Sequence, residues 1–345
     1  MTPRLCWLGA AFLWAFGGWD GSQTTKPRHP AIFQSEPGAA RAPEIAFDRA
    51  THTVTVTLSI EDPEGVFIPN LRPENFVVNE DGVRQKNATV DVDHAAVTLS
   101  VVLEGGGRYQ ELNRMLLADI PYVTDPLPAA LVSGDKVGVF SYAETVRTLV
   151  DFDQPRERLA MAFSQFQIEG FSEAKLYDAL VDVLHRTTSR PGRKAVFLIS
   201  TGLDTFSHTS FEDLLAEAGR SAVPVYAYGL AGLVKGTLVT PEGPLAKIDW
   251  NRANDRLKAL SKATDGRTYL RDTYLDAVAV YDDMLEHLRV RYVIKYTSSN
   301  PAGAGPARTV AVAIVDPRTG GPLRIVDSAG RVVTKKVSLQ GSYRP

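Results

Sequence analysis

Three short stretches carry residue types from which chemistry could be built. They are Glu104-Gly-Gly-Gly-Arg108, Gly170-Phe-Ser-Glu-Ala174 with Lys175 after it, and Ser200-Thr-Gly-Leu-Asp204. A glycine run between a buried strand and a helix is where backbone N–H groups cradle a phosphate. Here Gln110 stands where the dinucleotide pattern needs its third glycine, and no Lys-Ser/Thr pair follows. The glycines read more simply as a tight turn. The second stretch nearly reproduces a nucleophile elbow around Ser172. An elbow needs a strand before its serine, however, and Arg156–Phe166 has a helical pattern. His185 is expected to face solvent on the next helix, which leaves Ser172 without a base. Asp178 reads as a structural hydrogen-bonding group at that helix's start. The pairs Glu61/Asp62 and Glu80/Asp81 fall in turns and read as solvated charge. Asn87-Ala-Thr89 fits a glycosylation acceptor, a pattern frequent by chance.

Composition narrows the classes further. The chain has 345 residues, 44% hydrophobic and 23% charged, which is ordinary for a globular protein of about two domains. Lys and Arg number 38 against 40 Asp and Glu, a formal net charge of -2. No global basic field exists, so nucleic acid is not an expected partner. One cysteine, Cys6, and six scattered histidines exclude a disulfide scaffold and a Cys/His zinc site. Arg4, the apolar run Leu5–Phe16 and the small Gly17 and Gly18 have the form of a secretory signal peptide over residues 1–17. The run is short for a membrane span, so no transmembrane segment is expected after cleavage and the mature chain is expected to be secreted or periplasmic. Residues 18–42, with Pro27, Pro30 and Pro37, read as a linker.

The elements that position these stretches follow from periodicity. Val54, Val56, Leu58 and Ile60 alternate with polar residues, the pattern of a half-buried strand. Asp81-Gly82 marks a hairpin, so residues 43–93 are expected to form an N-terminal β unit. Val97–Leu103 and Lys194–Ser200 are near-continuous apolar strands, buried on both faces. Lys136–Tyr142, Thr145–Phe152, Val223–Tyr228 and Thr268–Leu270 complete a set of six, with Thr145–Phe152 as an antiparallel edge. Leu176, Ala179, Leu180, Val183 and Leu184 fall on one helical face, and further helices are expected at Phe211–Ala218, Asn251–Thr264 and Val278–Leu288. Alternating strands and helices over residues 94–289 predict an α/β, doubly wound, mostly parallel sheet. Residues 290–345 return to β and are expected to complete the unit begun at 43–93, with the α/β domain inserted between them. Thr237–Asp249 is a long insertion, ending at an exposed-looking Trp250 that is either a partner anchor or the cap of its own helix.

Ser133-Gly-Asp-Lys-Val-Gly-Val-Phe-Ser141, Leu176-Tyr-Asp-Ala-Leu180, Arg193-Lys-Ala-Val-Phe-Leu-Ile-Ser200 and Thr264-Asp-Gly-Arg-Thr-Tyr269 occur in the order found in the von Willebrand factor type A domain, which this chain resembles from residue 50 on. With Leu71–Gly82 upstream and Arg291–Tyr296 downstream, it looks most like the secreted bacterial group of that family. The resemblance implies a divalent cation at the carboxyl ends of the central strands. The family's ligands are Asp-x-Ser-x-Ser, a Thr and a second Asp, hard oxygens suited to magnesium. In this sequence Glu104 aligns with the first Asp, Gly106 and Arg108 replace the serines, Ala174 replaces the Thr, and Thr201 replaces the second Asp. Ser172 and Asp204 lie close by without the family's spacing. Neither magnesium nor calcium is therefore expected. Either Arg108 pairs with Glu104 or Asp204 in place of the metal, or it projects into solvent. The expected function is a non-catalytic, extracytoplasmic module that binds another protein or a surface polymer. Its rim would be made of Glu104, Gly106, Arg108, Ser172, Ala174, Lys175, Thr201 and Asp204. The alternatives are a metal-dependent adhesion module with rearranged ligands, a serine hydrolase using Ser172, and a structural envelope component.

Overall fold

A computed structural model describes residues 43–61, 68, 71–270, 277–300, 306–326 and 332–345. The signal peptide and linker expected at 1–42 lie outside the described residues. In chain order the first strands are β1 (Glu44–Asp48), β2 (Thr53–Leu58), β3 (Phe76–Glu80), β4 (Val83–Arg84) and β5 (Thr89–His94). Next come β6 (Val97–Glu104), β7 (Gly106–Gly107), α1 (Gln110–Thr124), α2 (Leu127–Ala130), β8 (Lys136–Tyr142) and β9 (Val146–Val150). They are followed by α3 (Arg158–Ser164), β10 (Glu169–Gly170), α4 (Leu176–Thr188), β11 (Arg193–Ser200), α5 (Phe211–Ser221) and β12 (Val225–Gly229). Then come α6 (Ala231–Leu238), α7 (Trp250–Ala263), β13 (Thr268–Leu270) and α8 (Ala277–Arg289). The remaining strands are β14 (Val290–Thr297), β15 (Arg308–Ile314), β16 (Leu323–Val326), β17 (Val332–Lys335) and β18 (Val337–Tyr343).

The central sheet has the order β13-β12-β11-β6-β8-β9. Every pairing in it is parallel except β8 with β9, the antiparallel edge. Strand order reverses between β6 and β11, so their carboxyl ends form the switch point of a doubly wound sheet. Side chains of β6 and β11 are buried on both faces, as their unbroken apolar runs require. Leu99, Val101, Leu103, Phe197 and Ile199 face one core with α1 and α8. Val102, Val196 and Leu198 face the other with α4, α5 and α7.

Eight of the remaining strands form two four-stranded sheets, β1-β2-β14-β5 and β18-β15-β3-β4, while β7 pairs with β10 and β16 with β17. Each four-stranded sheet combines strands from before and after the α/β unit. In the first, Leu58 faces Tyr292 and Val56 faces Ile294; in the second, Val78 faces Val312. Their inner faces share one core of Val54, Val56, Val78, Tyr292, Ile294 and Val312. The α/β unit is thus inserted into a sandwich that neither end of the chain could build alone.

Two crossings join the units at the amino end of β6. Only Ala95 and Ala96 separate β5 from β6, and α8 runs directly into β14. Ala95 N donates to Arg289 O at 3.2 Å, so the crossings lie side by side. The buried Asp135 carboxylate accepts from Val97 N and Val132 N, both at 2.9 Å, and pairs with Arg289.

The structure corrects one expectation about the insertion. Its start belongs to α6, and Trp250 is 4% exposed. The indole Nε1 donates to Leu245 O at 3.1 Å within the same segment, and both residues join the apolar core on one face of the sheet. Trp250 is a core residue and not a partner anchor. No helix among the described residues is long and apolar enough to cross a membrane.

Tyr292 on β14 accepts from Leu71 N at 3.0 Å and donates to Ile68 O at 3.1 Å, inside the sandwich. Removing its hydroxyl leaves a buried N–H and a carbonyl without these partners. Tyr292→Phe is therefore expected to lower unfolding free energy by about 1–3 kcal/mol, read by urea denaturation with an unchanged m-value.

Candidate functional site

Glu104 ends β6 at the switch point, and its side chain turns inward. It is 1% exposed. Its Oε2 accepts from Thr201 N at 2.7 Å, Ser200 Oγ at 2.9 Å and Tyr142 OH at 3.3 Å. Thr201 Oγ1 reaches both carboxylate oxygens at 3.0 Å. These donors come from the carboxyl ends of β8 and β11, the two strands flanking β6. Protein groups thus fill the oxygen positions that a cation would otherwise engage.

The residues around Glu104 do not fit a divalent cation. Gly106 is so closely covered that a Cβ there would lie 2.6 Å from both Ala143 Cβ and Ser172 Oγ. A serine oxygen has no room on that side. Ala174 is buried and offers no side-chain oxygen. Ser172 spends its proton on Glu169 O at 2.7 Å. Asp204 Oδ1 accepts from Tyr177 N at 3.1 Å and Ser207 Oγ at 2.5 Å. The rearranged ligand set Glu104, Ser172, Thr201 and Asp204 is therefore committed to other hydrogen bonds, whereas magnesium needs a near-octahedral shell of available oxygens. Among the described residues, no group of three or more His, Cys, Asp or Glu could hold a metal ion.

Arg108 does not take the metal's place. It pairs with neither Glu104 nor Asp204, because its side chain leaves the loop outward. Its Nε lies 2.9 and 3.1 Å from the two carboxylate oxygens of Glu173, and its Nη2 also pairs with that carboxylate. This fork holds the Glu173 carboxyl below the ordinary glutamate range. The guanidinium also lies over the Phe206 ring, 4.9 Å from its centroid.

Phe206 and Phe171 dominate the outer surface here, being 69% and 78% exposed. Both have left-handed backbone, with φ of 59°. Bulky side chains rarely adopt that conformation, which costs on the order of 1–3 kcal/mol. The surrounding loops hold it. Ala174 N donates to Thr205 Oγ1 at 2.7 Å, and Thr205 N donates to Ala174 O at 2.8 Å. Asp178 accepts from His208 N at 2.9 Å and Thr209 N at 2.8 Å. Partial burial alone would raise its pKa, but these backbone bonds hold it down at about 2. Glu169 and Gly170 pair in parallel with Gly106 and Gly107, so the glycine run is spent in a two-stranded ribbon. Lys175, half-buried, is fixed through its N–H to Ala143 O at 3.0 Å.

The eight sequence-derived rim residues thus come together at one end of the sheet but at two depths. Glu104, Gly106, Ser172, Ala174 and Thr201 lie buried; Arg108, Lys175 and Asp204 lie nearer the surface. The sequence reading placed Phe171, Glu173 and Phe206 within the rim loops Gly170–Lys175 and Thr201–Ser207 but gave them no role, and it missed Tyr142. The aromatics could have been found as large apolar residues within loops, the one signal they carry.

Burial raises the Glu104 carboxyl above the ordinary glutamate value, and its four donor groups only partly offset this. The fold therefore favours the protonated form. Its contribution is complete below the unfolded-state value and is lost as pH rises through the higher folded-state value. Glu104→Gln is expected to raise the melting temperature at alkaline pH, with the gain vanishing in acid, as thermal melts across pH would read. Gly106→Ser, which overpacks against Ala143 and Ser172, is expected to cost about 1–3 kcal/mol at all pH values.

No protein-family model and no curated protein matches this chain. Solved structures do. BatB from Bacteroides thetaiotaomicron, a conserved hypothetical protein, is 15% identical, covering 56% of this chain and 98% of its own, with a TM-score of 0.41. An aerotolerance-related membrane protein from Bacteroides fragilis is 14% identical over 56% of this chain and 98% of its own, with a TM-score of 0.37. A von Willebrand factor type A protein from Catenulispora acidiphila is 12% identical, covers 92% of this chain and 74% of its own, and has a TM-score of 0.40. Likenesses this distant carry no functional weight, and the fold rests on the sheet itself. Its reversal between β6 and β11 and its antiparallel β9 edge are the doubly wound α/β arrangement that the resemblance to the von Willebrand factor type A domain implies.

Proposed function

We propose that this chain is a non-catalytic, metal-free binding module that works outside the cytoplasm. It meets another protein or a surface polymer at the rim formed by the loops after β6, β10 and β11. The observation that carries this reading is the pair of exposed phenylalanines, both in left-handed backbone, with Arg108 stacked on one of them. Solvent exposure of two large rings gains nothing for folding, and their backbone costs free energy. Aromatic and arginine side chains are the commonest anchors of protein interfaces. The hydrogen bonds that fix both loops reduce the ordering cost that a partner would otherwise impose. The secreted or periplasmic location rests on the signal-peptide pattern of residues 1–17. The non-catalytic reading is supported by Ser172, whose hydroxyl proton goes to a backbone carbonyl.

The test uses the mature chain as bait against envelope and secreted fractions, followed by titration of the partner recovered. Phe171→Ser and Phe206→Ser are each expected to weaken binding by at least about tenfold, without change in melting temperature. Binding unchanged in the double variant would overturn the rim as the contact surface. EDTA is expected to leave the affinity unchanged. Magnesium, manganese and calcium are expected to leave the melting temperature unchanged, whereas an ion at about 100 times its dissociation constant would add about 2.7 kcal/mol. A metal-induced shift abolished by Glu104→Ala would overturn the metal-free reading.

A further inference from the structure

A second buried polar cluster lies far from the rim, where the sandwich meets the α/β unit. Glu61 follows β2, at the sandwich side. Across from it, His287 and Asp283 stand on α8, Arg267 and Tyr269 on β13 and its lead-in, Tyr226 on β12, and Arg291 on β14. His287 Nε2 is 2.7 Å from Glu61 Oε1, and its Nδ1 meets the Tyr226 hydroxyl. Arg267 lies 2.6 Å from Asp283 and 3.4 Å from Glu61. Tyr269 OH donates to Asp283 at 2.8 Å, and Arg291 donates to the His287 carbonyl at 2.6 Å. Arg267 is 6% exposed and His287 7%. Here side-chain charge ties Glu61 of the sandwich to α8.

From this geometry we infer that the joint is a pH-sensitive latch, closed while His287 is neutral and released when it is protonated. The hydrogen-bond inventory sets the direction. A carboxylate only accepts, so Nε2 carries the proton toward Glu61. Nδ1 of the neutral ring then accepts from the Tyr226 hydroxyl, which is fully buried. Protonation makes Nδ1 a donor. The Tyr226 oxygen must then accept, and its own proton loses the acceptor it had. The new charge also enters an enclosure that already holds Arg267 and Arg291. Glu61 and Asp283 attract that charge, but both are already engaged by Arg267. Burial, with the Arg267 charge second, places the His287 pKa below the ordinary histidine value. The sign follows. Stabilisation by this group is complete above the unfolded-state value and is lost as pH falls through the folded-state value. Acid therefore releases Glu61 from α8 while the central sheet, whose cores are apolar, persists. The latch is independent of the rim reading, since it shares no residue with it.

The test follows the histidine side chains of the full chain by nitrogen-15 NMR, and backbone hydrogen exchange of residues 53–61 and 277–297, from about pH 7.5 to about pH 5. At the upper end His287 is expected as the neutral tautomer protonated at Nε2, and it should titrate below the ordinary histidine value. Exchange of both segments is expected to rise on the order of tenfold in acid, after correction for the intrinsic rate, and His287→Gln should remove most of that rise. A His287 that titrates at or above the ordinary histidine value would overturn the latch. So would an equal acid response in His287→Gln. Because the NMR reading uses the unmodified chain, it decides the matter even where the glutamine variant fails to fold.

Discussion

A carboxylate in a dry site must find donors or a counter-charge, and Glu104 has found donors. Every group it needs comes from the strands on either side of β6: the Tyr142 hydroxyl from β8, and the Ser200 hydroxyl and Thr201 amide from the end of β11. The three strand ends are thereby held at one height. The loops that leave them depart from a fixed platform. Phe206 follows the Thr201 contact by a few residues, and Arg108 follows Glu104 itself. The geometry of the outer surface is therefore inherited from a hydrogen-bonded core that solvent does not reach.

That platform changes what the end of the sheet can do. A site that recognises through a bound ion concentrates its affinity in a few coordinate bonds. Here the same end of the sheet presents two rings and a guanidinium, with the Glu104 carboxyl beneath them hydrogen-bonded internally. On the proposed reading, recognition by such a surface would depend on shape and on excluding water, with a correspondingly weak salt and chelator dependence. Electrostatic neutrality within the Arg108–Glu173 fork fits this, because the pair adds direction without adding net charge.

The fold was legible in the sequence because burial on both faces leaves a long apolar run, as in Val97–Leu103 and Lys194–Ser200, and burial on one face leaves alternation, as in Thr53–Leu58. The helical face of Leu176–Leu184 was equally plain. The return of the chain to the sandwich was readable because the last strands were too few to stand alone. The site was legible only in its location. Arg108 chose Glu173, 65 residues away, over both Glu104 and Asp204 of the ligand pattern, and no local rule foretells such a choice. The left-handed backbone at Phe171 and Phe206 was hidden because that conformation is normally signalled by glycine or asparagine. Trp250 was left open between a partner anchor and the cap of its own helix because its insertion looked polar, while its burial depends on Leu245 and the distant sheet. The Glu61–His287 contact joins residues far apart in sequence, each unremarkable alone.

The paired crossings at the amino end of β6 have a mechanical consequence. The rim lies at one end of the sheet and the sandwich at the other. Tension applied between the rim and the sandwich enters β6 along its axis and must leave through Ala95–Ala96, through the α8–β14 passage, or through both. With Ala95 bonded to Arg289 and β5 paired along β14, the two crossings share the load. A pull on the α/β unit therefore draws β5 and β14 together, and the sandwich yields only by shearing β14 against β2 along its whole length.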